Sequence, residues 1–138
     1  MNDNTFTTEV MISAPIALVW EYFTDTKHIG EWANGSADWE TTAIKNDLHA
    51  GGEFLSRMAA KDGSQSFDFG GVYDDVVPHE TISYTMGDGR KATTLFRKEG
   101  DSVHVSQAVE AERENPVAMQ KAGWQSMLDN LKRVIEAA

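Results

Sequence analysis

Cysteine is absent from this chain, which removes disulfide frameworks, thiolate metal sites and cysteine nucleophiles from consideration. Also missing is any apolar run near the ~20 residues needed to span a bilayer, so no membrane insertion is expected. The opening MNDNTFTTEV has neither a basic n-region nor an apolar h-region, the parts a secretory signal requires. A cytoplasmic protein is the expectation that follows. Positive charge is scarce as well. Twelve Lys and Arg stand against 22 Asp and Glu, for a net charge of −10. The basic residues are scattered among acids, whereas phosphate recognition needs them clustered, so no nucleic-acid partner is expected. Motifs for chemistry are equally sparse. His28, His49, His79 and His104 show no i, i+4 helical pair, and no HExxH or GxSxG occurs. The sequence calls for no metal and no cofactor.

What the chain does have is one domain's worth of ordinary globular composition, 138 residues with 41% hydrophobic and 25% charged. Its patterning is clear. Phe6, Thr8, Val10 and Ile12 alternate with Thr7, Glu9 and Met11, a strand with two unlike faces. Pro15 then changes the period, and Ile16, Val19, Trp20 and Phe23 form a helical stripe. Thr24-Asp25-Thr26 ends that helix and caps a second short one, roughly 26–33, with Ile29 and Trp32.

Six further runs follow between turns rich in Gly, Asp and Asn: Trp39–Lys45, Glu53–Ala60, Gln65–Val77, Thr81–Met86, Arg90–Lys98 and Ser102–Ala111. This is the pattern of an antiparallel meander. Asn115 before Pro116 predicts a capped start for a helix reaching about residue 136. Trp124, Met127, Leu128, Leu131, Val134 and Ile135 form its apolar stripe, and Gln125, Asp129, Asn130, Lys132 and Arg133 are expected to face water.

The order predicts an α+β fold. A curved seven-stranded antiparallel sheet wraps around the long C-terminal helix, with two short helices after the first strand. Seven strands cannot be covered by one helix unless the sheet curls, and Gly70-Gly71 in the longest strand is the expected bend or bulge. Inward positions include Phe54, Ser56 and Met58, then Phe67, Phe69 and Tyr73, then Ile82 and Tyr84. The opposite face carries Glu53, Arg57, Asp68, Arg97, His104 and Glu110, a solvated surface.

Such a sheet rarely packs solid against one helix, and its aromatic and methionine lining suits an adaptable pocket. The candidate ligand-binding residues are Trp20, Phe23, Trp32, Phe54, Met58, Phe67 and Phe69, with Tyr73, Tyr84, Phe96, Gln107, Trp124, Met127 and Leu128. Taken singly, each aromatic is more often core than contact. No acid or histidine is placed inward, so no catalytic residue is named. Asp25 and His28 could approach one another at a cap. Asp74-Asp75, on opposite faces of a strand, fit a solvated rim. Gly123, mid-helix beside Trp124, either permits close helix–sheet approach, the preferred reading, or leaves space for a ligand.

Several stretches carry a resemblance across essentially the whole chain. ISAPIALVWEYFTDTKHIGEW at residues 12–32, Gly51-Gly52-Glu53-Phe54 and GGVYDDVVPHETISYT at residues 70–85 resemble the superfamily of START domains, polyketide cyclases and birch-pollen-allergen-like proteins, whose fold is the helix-grip. AGWQSMLDNLKRVIE at residues 122–136 resembles its bacterial branch named for the activator of a heat-shock protein ATPase. The resemblance implies a single helix-grip domain over 1–138, existing as a monomer or homodimer. Its partner would be a small hydrophobic or aromatic molecule held between sheet and helix. It also implies two alternatives: a cyclase- or dehydratase-type enzyme in which Tyr73, Tyr84 and Gln107 polarise carbonyls, or a stress-response, co-chaperone-like interaction module. In the eukaryotic activators this domain accompanies a separate N-terminal domain.

Overall fold

The computed structural model describes residues 5–32 and 39–138. β1 (Thr5–Ile12) leads into α1 (Ile16–Thr24) and α2 (Thr26–Trp32). Ala33, the expected last residue of the second helix, lies outside the described residues. The meander follows as β2 (Trp39–Asn46), β3 (Glu53–Ala60), β4 (Ser66–Val77), β5 (Thr81–Met86), β6 (Lys91–Glu99) and β7 (Ser102–Glu110), and α3 (Val117–Ala137) closes the chain. All seven strands form one antiparallel sheet in the order β1-β7-β6-β5-β4-β3-β2. β1 therefore lies at one edge and β2 at the other, and the two short helices span the distance between them. Among the described residues no helix is long and apolar enough to cross a membrane.

Alternation does what the sequence predicts along β5, β6 and β7. Ile82, Tyr84, Met86, Ala92, Thr94, Phe96, Val103, Val105, Gln107 and Val109 are all buried on the inner face. The outer face carries the Arg57–Asp68 pair, Nε to Oδ1 at 2.8 Å. It is less uniformly polar than expected, since Met11, Leu55, Val72 and Leu95 are exposed there.

Of the bend or bulge expected at Gly70-Gly71, the bulge falls elsewhere. Register runs unbroken through Gly70 and Gly71, and the shift falls at Asp74, between Tyr73 and Asp75. The glycines answer to crowding. A Cβ on Gly70 would sit 2.6 Å from the Phe54 carbonyl oxygen, and one on Gly71 would sit 2.2 Å from that of Thr85. Neighbouring backbones fold over β4 so tightly that no side chain fits. The bulge then places Asp74 and Asp75 both in solvent instead of on opposite faces, and turns Val76 back toward the core.

The starts of the helices also differ in detail. Pro116 is itself the N-cap of α3, with no side-chain cap. Asn115 donates its Nδ2 to Glu112 instead. Gln120 stabilises the approach, accepting from Glu112 N at 2.9 Å and donating to Asn115 O at 2.8 Å. At α2, Asp25 Oδ1 accepts from Lys27 N at 2.9 Å, a local cap.

The polar face of α3 does not simply meet water. Gln125 Oε1 accepts from Glu9 N at 3.2 Å, and its Nε2 donates to Glu9 O at 2.9 Å. Lys132 Nζ donates to Met11 O at 2.7 Å, and Glu136 accepts from Ser13 N at 2.9 Å. Residues 125, 132 and 136 lie within an arc of about 40° around a helix. They form one line that matches the outward backbone groups of edge strand β1, which would otherwise stand open to pairing. Lys132 and the Ser13 amide hold the Glu136 carboxyl below the usual carboxylate range.

Candidate functional site

The C-terminal half of α3 is embedded in solid packing. Leu128, Leu131 and Ile135 share one buried cluster with Ile12, Val19, Val103 and Val105, each no more than 2% exposed. Towards the N-terminal half the sheet diverges from the helix and a hollow of about 90 Å³ opens.

Each wall of the hollow comes from a different element. α1 and α2 supply Phe23 and Trp32, stacked at 5.1 Å, and Trp32 Nε1 donates to Tyr22 O at 2.8 Å, which fixes its plane. Phe54 of β3 lies between Phe69, Tyr73 and Tyr84, with ring centroids 5.7, 5.0 and 4.8 Å away. Met58, Phe69, Trp124 and Met127 close the side toward α3. Beyond these four, which it shares with the hollow, lies an open groove of about 800 Å³, bordered by Trp39, Phe67, Met119 and Gly123.

The polar groups of the hollow are few. Tyr73 Oη donates to Asn46 Oδ1, and Asn46 Nδ2 donates to Thr24 O at 2.7 Å. Tyr73 is anchored from behind too. Gly51 N donates to Tyr73 O at 2.8 Å, and Tyr73 N to Gly52 O at 2.9 Å. Gly51 adopts φ +87° to make that turn. Gln107 lies level with Thr8 on one side and Thr94 on the other. Its Nε2 donates to Thr94 Oγ1 at 3.2 Å, while Gln107 Oε1 and Thr8 Oγ1 have no partner among the described residues.

No Asp, Glu or His is among the described residues lining the hollow. Lys45 reaches its rim, with Nζ 3.6 Å from Glu53 in solvent. Burial pushes the Tyr73 phenol up to about 12 against the opposing pull of its Asn46 bond. Burial also drives Tyr84 well above the ordinary phenol value, helped by nearby Tyr73. Both are neutral hydroxyls at neutral pH.

Of the residues singled out from the sequence, Phe23, Trp32, Phe54, Met58, Phe69, Tyr73, Tyr84, Gln107, Trp124 and Met127 border the hollow. Phe67 is 54% exposed and lies in the groove against Trp39. Trp20 and Phe96 pack on each other at 5.2 Å beneath the hollow, and Leu128 belongs to the solid half. Sequence reasoning did not name Asn46, Thr24, Ile29, Ile44 or Lys45 as lining. Asn46 looked like the start of a turn, which conceals its bond to Tyr73. Gly123 has nothing within 4 Å of an added Cβ, so close helix–sheet approach does not explain it. It borders open space.

The histidines lie elsewhere. His28 does not pair with the Asp25 carboxylate. Its Nδ1 is 2.9 Å from Glu31 and its Nε2 3.2 Å from Glu21, with its ring stacked on Tyr22 at 3.9 Å. Among the described residues no group of three or more His, Cys, Asp or Glu could hold a metal ion.

Comparison with known proteins agrees with this architecture. A solution structure of an AHSA1-like protein from Aeromonas hydrophila superposes with TM-score 0.91 at 40% identity, over 96% of this chain and 92% of that one. A protein from Cytophaga hutchinsonii gives 0.85 at 45% identity, over 97% and 93%. One from Chromobacterium violaceum, at 24% identity, gives 0.85 over 96% and 97% and shares the fold. No curated protein matches the chain by sequence. The family described as activator of Hsp90 ATPase homolog 1-like protein matches residues 13–136, and the chain belongs to that family.

Proposed function

We propose that this protein binds a small hydrophobic or aromatic molecule in the hollow between its sheet and its C-terminal helix. The observation that carries the reading is the hollow itself. Aromatic rings and methionines from both short helices, the sheet and α3 converge on this space. Bulky, well-packed side chains surround it, so it is not a consequence of small residues. The few polar groups on its wall suit orientation of a largely apolar guest. A cyclase- or dehydratase-type reaction would also need a general acid or base beside Tyr73, Tyr84 and Gln107, and no Asp, Glu or His is among the described residues lining the hollow. General acid–base work asks for a group poised nearer neutrality. Binding needs no such group.

Ligand-observed NMR with a panel of small neutral aromatics tests the reading. Saturation transfer to several members, lost when Met127→Trp fills the space in a protein of unchanged circular dichroism, is the expected result. Absence of transfer to every member of the panel would end it.

A further inference from the structure

The hollow is too small for its own lining. A dry cavity of 150 Å³ accepts benzene, and this one measures about 90 Å³. An aromatic guest therefore displaces part of its wall or extends beyond it. The open groove of about 800 Å³ begins where the hollow ends, and Met58, Phe69, Trp124 and Met127 belong to both. Methionine side chains are unbranched and adaptable, so two of the four shared residues can move aside without backbone change.

The far ends of this joined space differ in chemistry. Deep inside, Gln107 is 5% exposed and its Oε1 has no hydrogen-bond partner. A buried carbonyl in that condition lacks the donor that water would give it. The groove end is apolar and wet: Phe67 is 54% and Met119 57% exposed. Its charged neighbour Arg90 is already engaged, with Nε 2.7 Å from Asp88 Oδ2 and Nη1 3.2 Å from Glu110 O. The chain as a whole is strongly acidic. Lys45 at the rim of the hollow is likewise paired, with Nζ 3.6 Å from Glu53, so among the described residues lining this path an anionic guest finds no unpaired cation.

Resting on the binding reading above, we infer that the ligand is an elongated neutral amphiphile that enters head first. Its head carries a hydroxyl or N–H that donates to Gln107 Oε1. Its apolar body threads between Met58, Phe69, Trp124 and Met127, and its tail lies in the groove over Phe67 and Met119. Gly123 leaves room for that tail, since a side chain there would project into the groove.

The experiment uses 4-alkylphenols and their methyl ethers as probes, titrated into the full chain and followed by amide chemical shifts. On the unaltered protein 4-butylphenol binds roughly tenfold more tightly than 4-butylanisole, the worth of one buried hydrogen bond. Gln107→Leu brings that ratio close to one. Along the phenols from methyl to butyl, affinity rises about fourfold per methylene. Met119→Glu, on a side chain already in solvent, flattens that rise. Equal affinity of ether and phenol overturns the donor assignment, and is also what a reversed Gln107 amide would give. Affinity independent of chain length overturns the groove. In either case the hollow remains a binding site. Failure of phenols and ethers alike to bind a folded protein removes the underlying reading together with this one.

Discussion

The two halves of α3 rest on the same sheet, yet one half sits on packed core and the other on a hollow. Leu128, Leu131 and Ile135 share a buried cluster with Ile12 of β1 and with Val103 and Val105 of β7, at the edge that α3 itself seals. Trp124 still touches Phe6 of β1, with ring centroids 6.4 Å apart, but together with Met127 it also borders β4 and β3, four and five places from β1, where the hollow opens. Proximity to the sealed edge makes the core solid; distance from it leaves space. Solid packing and open space are thus separated along a single helix.

Truncation is the strongest way to test that separation. Leu131→Ala removes a fully buried side chain with neighbours on all sides and should cost roughly 3–5 kcal/mol in equilibrium denaturation. Met127→Ala, already facing empty space on one side, loses fewer contacts and should cost less than about 2 kcal/mol. Equal losses would show that the hollow is as well packed as the rest. The seal comes next. Gln125→Ala deletes both bonds to Glu9 and should cost about 1 kcal/mol, with faster hydrogen exchange at the Glu9 amide and at few others. Smaller still, and of opposite sign, is Gly123→Ala. The new methyl meets nothing within 4 Å, so the helix gains up to ~1 kcal/mol from propensity alone. A loss of stability there would mean that the helix touches the sheet more closely than the hollow allows.

The sequence exposes the faces of these elements well and their depth poorly. Period-two alternation assigns Ile82, Tyr84, Thr94, Phe96, Val105 and Gln107 to one side without ambiguity, because each must point either in or out. Whether an inward residue meets packing or space depends on how far its strand lies from the helix. Trp20, Phe96 and Leu128 differ in no visible way from Phe23, Phe69 and Met127. The Asp74 bulge has no glycine to announce it, while the glycines four and three places earlier serve close contact. Gln125 and Lys132 look like solvent-facing helix residues because an edge strand is recognised through its backbone, which carries no sequence signal. Asn46 shows the same blindness at the site: its role exists only once β2 brings it beside Tyr73.

That contact supplies the last and mildest test, invisible at neutral pH. Tyr73 ionises near 12 in the folded protein against 10.0 ordinarily, because burial disfavours the phenolate. A folded value above the unfolded one gives stability that is fully present below pH 10 and is lost as pH climbs through about 12. Tyr73→Phe abolishes this contribution and leaves that of Tyr84, also displaced upward. In urea unfolding at fixed pH steps, the gap between the unaltered protein and Tyr73→Phe should hold constant up to about pH 10 and then shrink. A gap that stays the same across that window would place the Tyr73 hydroxyl in water, and the wall of the hollow beside Asn46 would then be open instead of closed.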